Sequence, residues 1–312
     1  MACPSSPLIV VLGPTGSGKS ELALLLAETF GGEIISCDSI QVYRRLDIGS
    51  AKLTLPQRRG VPHHLIDVID ANQELTAGAY SRMARLAIAA VQNRQRVPVV
   101  TGGTGFYLRA LLDGLSPAPA RDEALRRRLA QLAARRPYAL HRFLRWHDPQ
   151  AASRIHANDH QKLTRAVELI VLARQPATHT QSQPRDALPD IAALKLSLSP
   201  ERGLLYDHLN LRCTHMFEHG LLAETQSLLA AGFSPDLKPL QSLGYKQSLK
   251  HLAGALPYKE AVSECQIKTR QYAKRQITWF RRERDVHWLT GFGTDLTVQQ
   301  QALELSRSFL AV

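Results

Sequence analysis

The sequence predicts an α/β protein whose core is a parallel β-sheet with a phosphate-binding loop, interrupted by a small inserted helical domain. Three observations lead to this prediction. A glycine-rich loop stands between an apolar run and a helical stretch, short apolar runs alternate with amphipathic segments, and an arginine-rich helical region follows a proline-containing boundary. We assign residues 1–119 and 193–312 to the core and residues 120–192 to the inserted domain.

The glycine-rich loop is a complete G-x-x-x-x-G-K-[ST] pattern, which is typical of the P-loop NTPase fold. Residues 8–12 predict the strand before it, and the run from Glu21 predicts the helix after it. Glycines let backbone N–H groups turn inward, Lys19 adds an ammonium, and the Ser20 hydroxyl is placed for a phosphate-bound Mg²⁺. We expect this loop to bind a diphosphate or triphosphate through Gly13, Pro14, Thr15, Gly16, Ser17, Gly18, Lys19 and Ser20.

Two further strands bring polar residues to the same edge of the sheet. Residues 33–36 predict a strand that delivers Asp38, which from its position either belongs to the site or caps a turn. Residues 97–100 predict a strand that ends at Thr101, where many P-loop kinases and ATPases carry an aspartate that holds Mg²⁺. Thr104 follows two glycines at a second helix start. The missing aspartate argues against routine ATP hydrolysis.

The spacing of apolar residues in the rest of the chain predicts the other helices and strands of the core. Residues 76–94 predict an amphipathic helix, residues 192–197 a strand, residues 204–217 a helix, and residues 258 to about 284 the last strong element. We expect three aromatic residues, Trp279, Phe280 and Trp288, to anchor the core. Adjacent His63 and His64 point to opposite faces of a strand, which favours structural hydrogen bonds over a metal site. Residues 175–189 predict a flexible segment.

Composition narrows the class of protein. The chain has 312 residues, of which 44% are hydrophobic, enough for a sizeable core. No apolar run approaches the ~20 residues of a membrane span, so we predict a cytoplasmic protein that does not associate with a membrane. Its net charge of +12 favours a polyanionic partner such as RNA. The four cysteines are scattered without metal-ligand spacing, which indicates reduced, structural thiols and no zinc site.

The inserted region carries much of the positive charge. Helices are predicted at residues 123–136, 138–146 and 158–172, the last capped by Asn158 or Asp159. A charge run is usually a solvated face, but here the excess is almost all arginine, which favours contact with phosphates. The residues concerned are Arg126, Arg127, Arg128, Arg135 and Arg136.

Nearly end to end, the chain resembles the tRNA dimethylallyltransferases, also called tRNA isopentenyltransferases. The resemblance rests on an ordered set of motifs at residues 13–20, 38–43, 46–52, 63–67, 102–104, 156–159, 244–245 and 269–276. It implies transfer of a dimethylallyl group from dimethylallyl diphosphate to the exocyclic amine of the adenosine immediately 3′ of the anticodon. It also implies that the phosphate loop holds the diphosphate and Mg²⁺ and that Asp38 is the general base.

The resemblance assigns further roles. Thr104 and Arg126 correspond to catalytic positions that contact the tRNA near the reacting centre. Thr104 also corresponds to a position that hydrogen-bonds the diphosphate. Arg212 corresponds to a diphosphate-binding arginine. The partner is the anticodon stem-loop of tRNA, and we expect a monomer. The residues expected to contact tRNA are Asp38, Ser39, Ile40, Gln41, Thr104, Arg126, Gln161, Lys162, Leu163, Thr164, Arg165, Gln241, Ser242, Leu243, Gly244, Tyr245 and Lys246.

Four positions depart from the usual family pattern. Leu53 replaces a frequent proline, His160 and Lys162 stand where proline and arginine are common, and His208 stands where an arginine often precedes Arg212 by one helical turn. Loss of that arginine weakens diphosphate or RNA binding without touching the phosphate loop or Asp38.

Two other functions share some of these features. An ATP-dependent small-molecule kinase has the same phosphate loop, but it consumes ATP and is indifferent to RNA. A nucleotide-switched RNA-binding protein binds tRNA but tolerates the loss of Asp38. Prenyl transfer that depends on Asp38 separates both alternatives from a transferase.

Overall fold

The core is a parallel sheet of six strands in the computed structural model, which describes residues 6–189 and 191–311. The order across the sheet is β3-β2-β4-β1-β5-β6, and every pair of neighbours is parallel. The predicted α/β fold with a P-loop-like core is confirmed. The strands are β1 Ser6–Leu12, β2 Glu33–Ser36, β3 His63–His64, β4 Pro98–Gly102, β5 Ile191–Leu198 and β6 Val286–Leu289.

Some helices connect the strands of the sheet, and others form a separate unit. In chain order they are α1 Lys19–Thr29, α2 Ala77–Asn93, α3 Gly105–Leu112, α4 Glu123–Arg135, α5 Ala139–His147, α6 Pro149–Arg154, α7 His160–Ala173, α8 Ala177–Ser182, α9 Arg202–Glu218, α10 Leu221–Ala230, α11 Tyr245–Leu252, α12 Tyr258–Phe280 and α13 Leu296–Leu310. The described residues up to Leu112 and from Leu188 onward form one unit, and Asp113–Ala187 form another. Among the described residues, no helix is long and apolar enough to cross a membrane.

The central strands owe their burial to their sequence. Residues 8–12 of β1 and all of β2 and β4 are buried, as expected for continuous apolar strands of a parallel sheet covered on both faces. Leu22 and Leu26 of α1 pack with Val298 and Ala302 of α13 in one cluster with these strands. This packing fixes the carboxyl ends of the strands, from which the loops of the candidate site project.

Some elements differ from the sequence prediction. The last predicted helix ends at Phe280, and β6 and α13 follow it. Phe280 is a core residue as predicted, but Trp288 is 41% exposed, so its assignment as a core anchor was wrong. Trp288 lies on the short strand β6 at the edge of the sheet, where its neighbour His287 is exposed as well. Trp279 is half-buried, and the guanidinium carbon of Arg109 lies over its ring, 4.7 Å from the ring centroid.

The two adjacent histidines have structural roles, as predicted. His63 Nδ1 lies 2.8 Å from the carbonyl oxygen of Val61, and His64 Nε2 lies 2.6 Å from a Glu33 carboxylate oxygen. Arg94 also donates to the Glu33 carboxylate, at 2.7 Å and 3.0 Å. The contact between His64 and Glu33 ties β3 to β2.

The second unit is built around a buried carboxylate. Glu168 of α7 is fully buried and accepts hydrogen bonds from Arg126 Nε at 2.8 Å and Arg126 Nη2 at 3.0 Å. It also accepts from Arg165 Nη1 at 2.6 Å and from the backbone N–H of Asp122 at 2.9 Å. Burial alone would raise the pKa of Glu168, but the bonds from both arginines outweigh it and lower that pKa to about 2.

The same unit contains the other predicted RNA-contact residues of the insertion. Leu163 is buried in its apolar core, and Lys162 pairs with Asp159 at 2.7 Å, the residue that caps α7. Gln161 is exposed, whereas Thr164 and Arg165 are partly buried. The segment predicted to be flexible includes the short helix α8.

We predict that Glu168→Gln lowers the free energy of unfolding by about 3 kcal/mol at pH 7, because it removes one partner of a buried ion pair. The folded pKa of Glu168 lies below its ordinary value, so this stabilisation is present above about pH 4.5 and is lost as the pH falls toward 2. Urea denaturation followed by circular dichroism measures the difference. Glu123→Gln, at an exposed position of α4, is the control and costs less than ~1 kcal/mol. Equal effects of the two substitutions would contradict the account.

Candidate active site

The phosphate loop lies between β1 and α1 in the conformation that its glycines allow. Gly18, which directly precedes α1, has a φ of 82°, a left-handed conformation that disfavours other residues. A side chain there would also meet the backbone nitrogen of Gly293 at 2.9 Å. The N–H of Gly293 donates to the Ser17 carbonyl at 2.9 Å, so the loop is held from outside. The first turn of α1 is thereby presented as an anion-binding helix start.

Lys19 is the cation of this loop. Its ammonium donates to the Pro14 carbonyl at 3.4 Å. Burial lowers the pKa of Lys19 to about 8, against an opposing effect of the Asp38 carboxylate, while the charge of Arg212 lowers it further. Lys19 therefore remains mostly protonated at pH 7, and a bound anion would stabilise its charged form.

Asp38 follows β2 and caps a turn, which is one of the two roles that its position suggested, and its role in the site stays a prediction. Its Oδ1 atom accepts hydrogen bonds from the backbone N–H groups of Ile40 at 2.8 Å and Gln41 at 3.2 Å, which caps the turn. The same residue lines a cavity. The turn therefore fixes the direction in which the carboxylate faces the cavity.

The loop after β4 packs against the loop after β2. A side chain on Gly102 would collide with the backbone of Cys37, so only glycine permits this approach. The Thr104 hydroxyl accepts a hydrogen bond from the Ser39 N–H at 3.2 Å, and the Thr104 N–H donates to the Cys37 carbonyl at 3.3 Å. Thr104 thus supports the backbone on either side of Asp38.

A cavity of about 380 Å³ brings the phosphate loop and Asp38 together. Its volume suits a small substrate with a few placed polar groups. Burial lowers the pKa of Arg212 in its wall from the ordinary arginine value. Nine of the residues predicted from the sequence line this cavity: Thr15, Asp38, Ser39, Ile40, Arg212, Gln241, Ser242, Leu243 and Gly244.

Other predicted residues lie outside its wall. The Gln41 amide donates to the carbonyl oxygens of Ser50 at 3.3 Å and Ala51 at 3.4 Å, so it braces the neighbouring loop. Tyr245 is fully buried, and Lys246 next to it is exposed. The roles of these residues, and of the insertion residues in the second unit, stay predictions.

Eight further cavity residues were not assigned to the site from the sequence, although five of them lie in the motifs at residues 46–52 and 269–276. These five are Gly49, Ser50, Thr269, Tyr272 and Arg275. Cys213, Met216 and Cys265, on α9 and α12, carried no such signal, because those helix faces look like ordinary helical surface in the sequence.

Glu224 anchors the loop that contains Gly49. Its carboxylate accepts from the N–H groups of Asp47 at 3.0 Å, Ile48 at 2.8 Å and Gly49 at 3.3 Å, and from the Tyr245 hydroxyl at 2.5 Å. A side chain on Gly49 would collide with the Tyr245 ring. One carboxylate therefore joins two loops that line the cavity. A single glutamate on a helix offers no pattern by which the sequence could have revealed this role.

Gln276 joins two other loops. Its Oε1 atom accepts from the Thr15 N–H at 2.8 Å, and its Nε2 atom donates to the Gly103 carbonyl at 2.8 Å. The residue is 6% exposed, so both bonds are shielded from water. Gln276 of α12 thus links the phosphate loop to the loop after β4.

No group of three or more potential metal-ligating His, Cys, Asp or Glu residues occurs in the described part of the chain. A divalent ion at this cavity would take most of its ligands from substrate oxygens and water. That arrangement suits Mg²⁺, which usually needs only one or two protein ligands. Ser20, partly exposed in the first turn of α1, offers a hydroxyl of the required chemistry.

Comparison with known protein sequences gives a consistent result. A family model described as IPP transferase matches residues 41–283. The chain is 54% identical over 304 residues to the tRNA dimethylallyltransferase of Solibacter usitatus, with 97% of this chain and 99% of that protein covered. It is 49% identical over 306 residues to the tRNA dimethylallyltransferase of Koribacter versatilis, with 97% and 99% covered.

Solved structures agree with the sequence comparisons. The tRNA isopentenylpyrophosphate transferase of Bacillus halodurans superposes with a TM-score of 0.72 at 33% identity, over 98% of this chain and 97% of that chain. A eukaryotic dimethylallyltransferase, captured acting on tRNA, superposes with a TM-score of 0.82 at 28% identity, over 98% of this chain and 80% of that chain.

We predict that Gln276→Ala weakens the binding of inorganic pyrophosphate about tenfold, because Thr15 and Gly103 lose the link that fixes the phosphate loop. Isothermal titration calorimetry measures the affinity. The matched control is Gln266→Ala on the same helix, where the amide bonds instead to the Asn210 carbonyl and Thr214. Equal pyrophosphate affinity in the two variants would show that the link does not support the loop.

Proposed function

The chain belongs to the IPP transferase family, and on that premise we propose that it is a tRNA dimethylallyltransferase. It transfers the dimethylallyl group of dimethylallyl diphosphate to the exocyclic amine of the adenosine immediately 3′ of the anticodon and releases diphosphate. The observation that carries this proposal is the cavity that places Asp38 beside a P-loop, with Thr15 and Arg212 in the same wall.

The phosphate loop binds the diphosphate in this proposal. Backbone N–H groups at the start of α1 and the Lys19 ammonium face a leaving group on which negative charge grows as the carbon–oxygen bond breaks. Arg212 supplies a second cation from the cavity wall. Because these donors are already oriented, they stabilise the departing diphosphate without reorganising.

Asp38 acts as the general base. The exocyclic amine of adenine is a poor nucleophile because its lone pair is delocalised into the ring, so its proton must be removed as the new carbon–nitrogen bond forms. The backbone bonds from Ile40 and Gln41 hold Asp38 Oδ1 and orient the carboxylate for that task. An adenosine stacked in the anticodon loop reaches the cavity only if its base is flipped out.

Mg²⁺ is the metal that these residues would accommodate. Ser20 would hold it together with diphosphate oxygens, and when bound the ion would neutralise charge on the leaving group. Lys19, Arg212 and Arg275 bear the remaining positive charge of the site, the two arginines from the cavity wall.

The tRNA partner accounts for the net charge of +12. Neutralising phosphates and releasing counterions supplies much of the affinity for a nucleic acid. We propose that the second unit, with its arginine-rich helix α4, contacts the anticodon stem-loop. We further propose a monomeric, cytoplasmic enzyme.

Label transfer tests the function directly. The purified protein is incubated with radiolabelled dimethylallyl diphosphate, Mg²⁺ and undermodified tRNA, and the labelled nucleoside is mapped. Label on the adenosine 3′ of the anticodon is the expected result. Unlabelled RNA, with ATP consumed in the presence of small metabolites, would support the kinase alternative, which is not favoured by any of the comparisons.

We predict that Asp38→Asn lowers the transfer rate by about 10³-fold, because the amide cannot remove the amine proton. The amide oxygen still accepts the backbone bonds of the turn, so the affinity for tRNA stays within about threefold. Single-turnover label transfer and filter binding measure the two quantities. Asp236→Asn, at an exposed position, is the control. Retained transfer in Asp38→Asn would refute the general-base assignment.

We predict that kcat/KM for dimethylallyl diphosphate falls above about pH 8, approaching tenfold per pH unit, because Lys19 loses its proton there. The lowered pKa means that the charged, diphosphate-binding form dominates below pH 8 and disappears above it. Lys19→Arg keeps its charge throughout this range and so shifts the alkaline limb upward. An identical alkaline limb in both proteins would contradict the assignment.

A further inference from the structure

Two cysteine thiols meet in the wall of the cavity. Cys213 of α9 and Cys265 of α12 are buried and not disulfide-bonded, and their sulfur atoms lie 3.7 Å apart. Both line the cavity together with Thr269, whose hydroxyl oxygen is 3.5 Å from Cys213 Sγ and 4.0 Å from Cys265 Sγ. Thiols so placed are shielded from bulk solvent yet open to any small molecule that enters the site.

The surroundings make the two thiols unequal. The hydrogen bond from the Cys265 thiol lowers the pKa of Cys213 to about 7, with help from Thr269, Arg212 and Arg270 and in spite of burial. The pKa of Cys265 is raised, first by its bond to Cys213 and then by burial. Cys213 therefore has the lower pKa of the pair and is the more easily ionised thiol.

A third thiol provides the contrast. Cys37 lies behind Asp38, where its thiol contacts the Thr104 carbonyl at 3.7 Å. Burial raises the pKa of Cys37 to about 12, and it does not line the cavity. Cys37 therefore has neither the lowered pKa of Cys213 nor, among the described residues, a thiol as its hydrogen-bond partner.

We propose that Cys213 and Cys265 form a peroxide-oxidisable dithiol that closes to a disulfide in the wall of the cavity. The Cys213 thiolate attacks one oxygen of hydrogen peroxide, the O–O bond breaks, and the departing hydroxide takes up a proton, which leaves a sulfenic acid and water. The Cys265 sulfur then attacks the sulfenic sulfur and loses its proton, while the S–O bond breaks and a second water departs. Two thiols are oxidised by two electrons and one peroxide is reduced.

Closing the disulfide changes the site. A disulfide is about 2.05 Å long, so the sulfur atoms must approach by roughly 1.7 Å, and the segments of α9 and α12 that carry them must adjust. Arg212 and Thr269, both in the cavity wall, belong to those segments. We expect this change to reduce transfer activity, and that expectation rests on the proposed function of the cavity. Formation of the disulfide does not depend on that function.

Peptide mapping tests the pair first. The protein is studied in a Cys3→Ser background, treated with hydrogen peroxide, alkylated and digested with trypsin. The expected product is a disulfide joining the tryptic peptides 213–246 and 260–268, with the Cys37 peptide alkylated as a free thiol. Alkylated thiols in both peptides, or Cys213 oxidised to sulfinic acid without a cross-link, would overturn the proposal.

Activity tests the consequence, with each protein compared before and after peroxide. We expect the treated parent to retain about a tenth or less of its transfer rate and dithiothreitol to restore it. Cys265→Ser and Cys213→Ser should each lose the cross-link and the dithiothreitol-reversible inhibition. A cross-link without inhibition would overturn the effect on the site and leave the function standing. An untreated protein without transfer activity would instead refute the proposed function.

Discussion

The whole site depends on one geometric constraint: the loops after β1, β2 and β4 leave the same edge of a parallel sheet and must hold one another. The Cys37 N–H donates to the Thr101 carbonyl at 2.7 Å, which extends the pairing of β2 and β4 into their loops. Thr104 and Gln276 continue the same chain of contacts toward Asp38 and the phosphate loop. The loops after β2 and β4 are thus fixed by each other, and the phosphate loop is fixed by Gln276 of α12 and by Gly293. Little of the site's shape depends on side chains that face solvent.

Asp38 and two nearby cations share the site, and among the described residues no direct ion pair joins them. The Asp38 carboxylate raises the pKa values of Lys19 and Arg212, but burial has the larger effect and lowers both. One carboxylate oxygen of Asp38 instead accepts hydrogen bonds from the backbone N–H groups of Ile40 and Gln41. Arg212 and Asp38 line the same cavity, and Lys19 lies in the phosphate loop whose Thr15 also lines it. The contrast is Glu168, whose carboxylate is saturated by two arginines and stabilises its own unit.

Features set by neighbouring residues could be predicted from the sequence, whereas contacts between residues far apart in the chain could not. The strand–loop–helix around residues 13–20 depends on neighbouring residues, so spacing alone predicted it. The turn at Asp38 was one of the two roles that its position suggested. Gln276 contacts Thr15 across 261 positions and Glu224 contacts the loop at Ile48 across 176 positions, distances over which no local pattern acts. Trp288 failed as a core prediction because burial at a sheet edge depends on which helices cover it. Composition gave no sign of the buried Glu168 in the second unit.

We propose that the phosphate loop holds the diphosphate and presents the prenyl carbon to the amine whose proton Asp38 removes. A crystal structure with dimethylallyl S-thiolodiphosphate, an unreactive analogue, tests it most directly. We expect diphosphate oxygens within hydrogen-bonding distance of Lys19 and the N–H groups at the start of α1, with the prenyl chain in the cavity near Asp38. An analogue bound with its diphosphate away from this loop, or with its prenyl chain outside the cavity, would refute this arrangement.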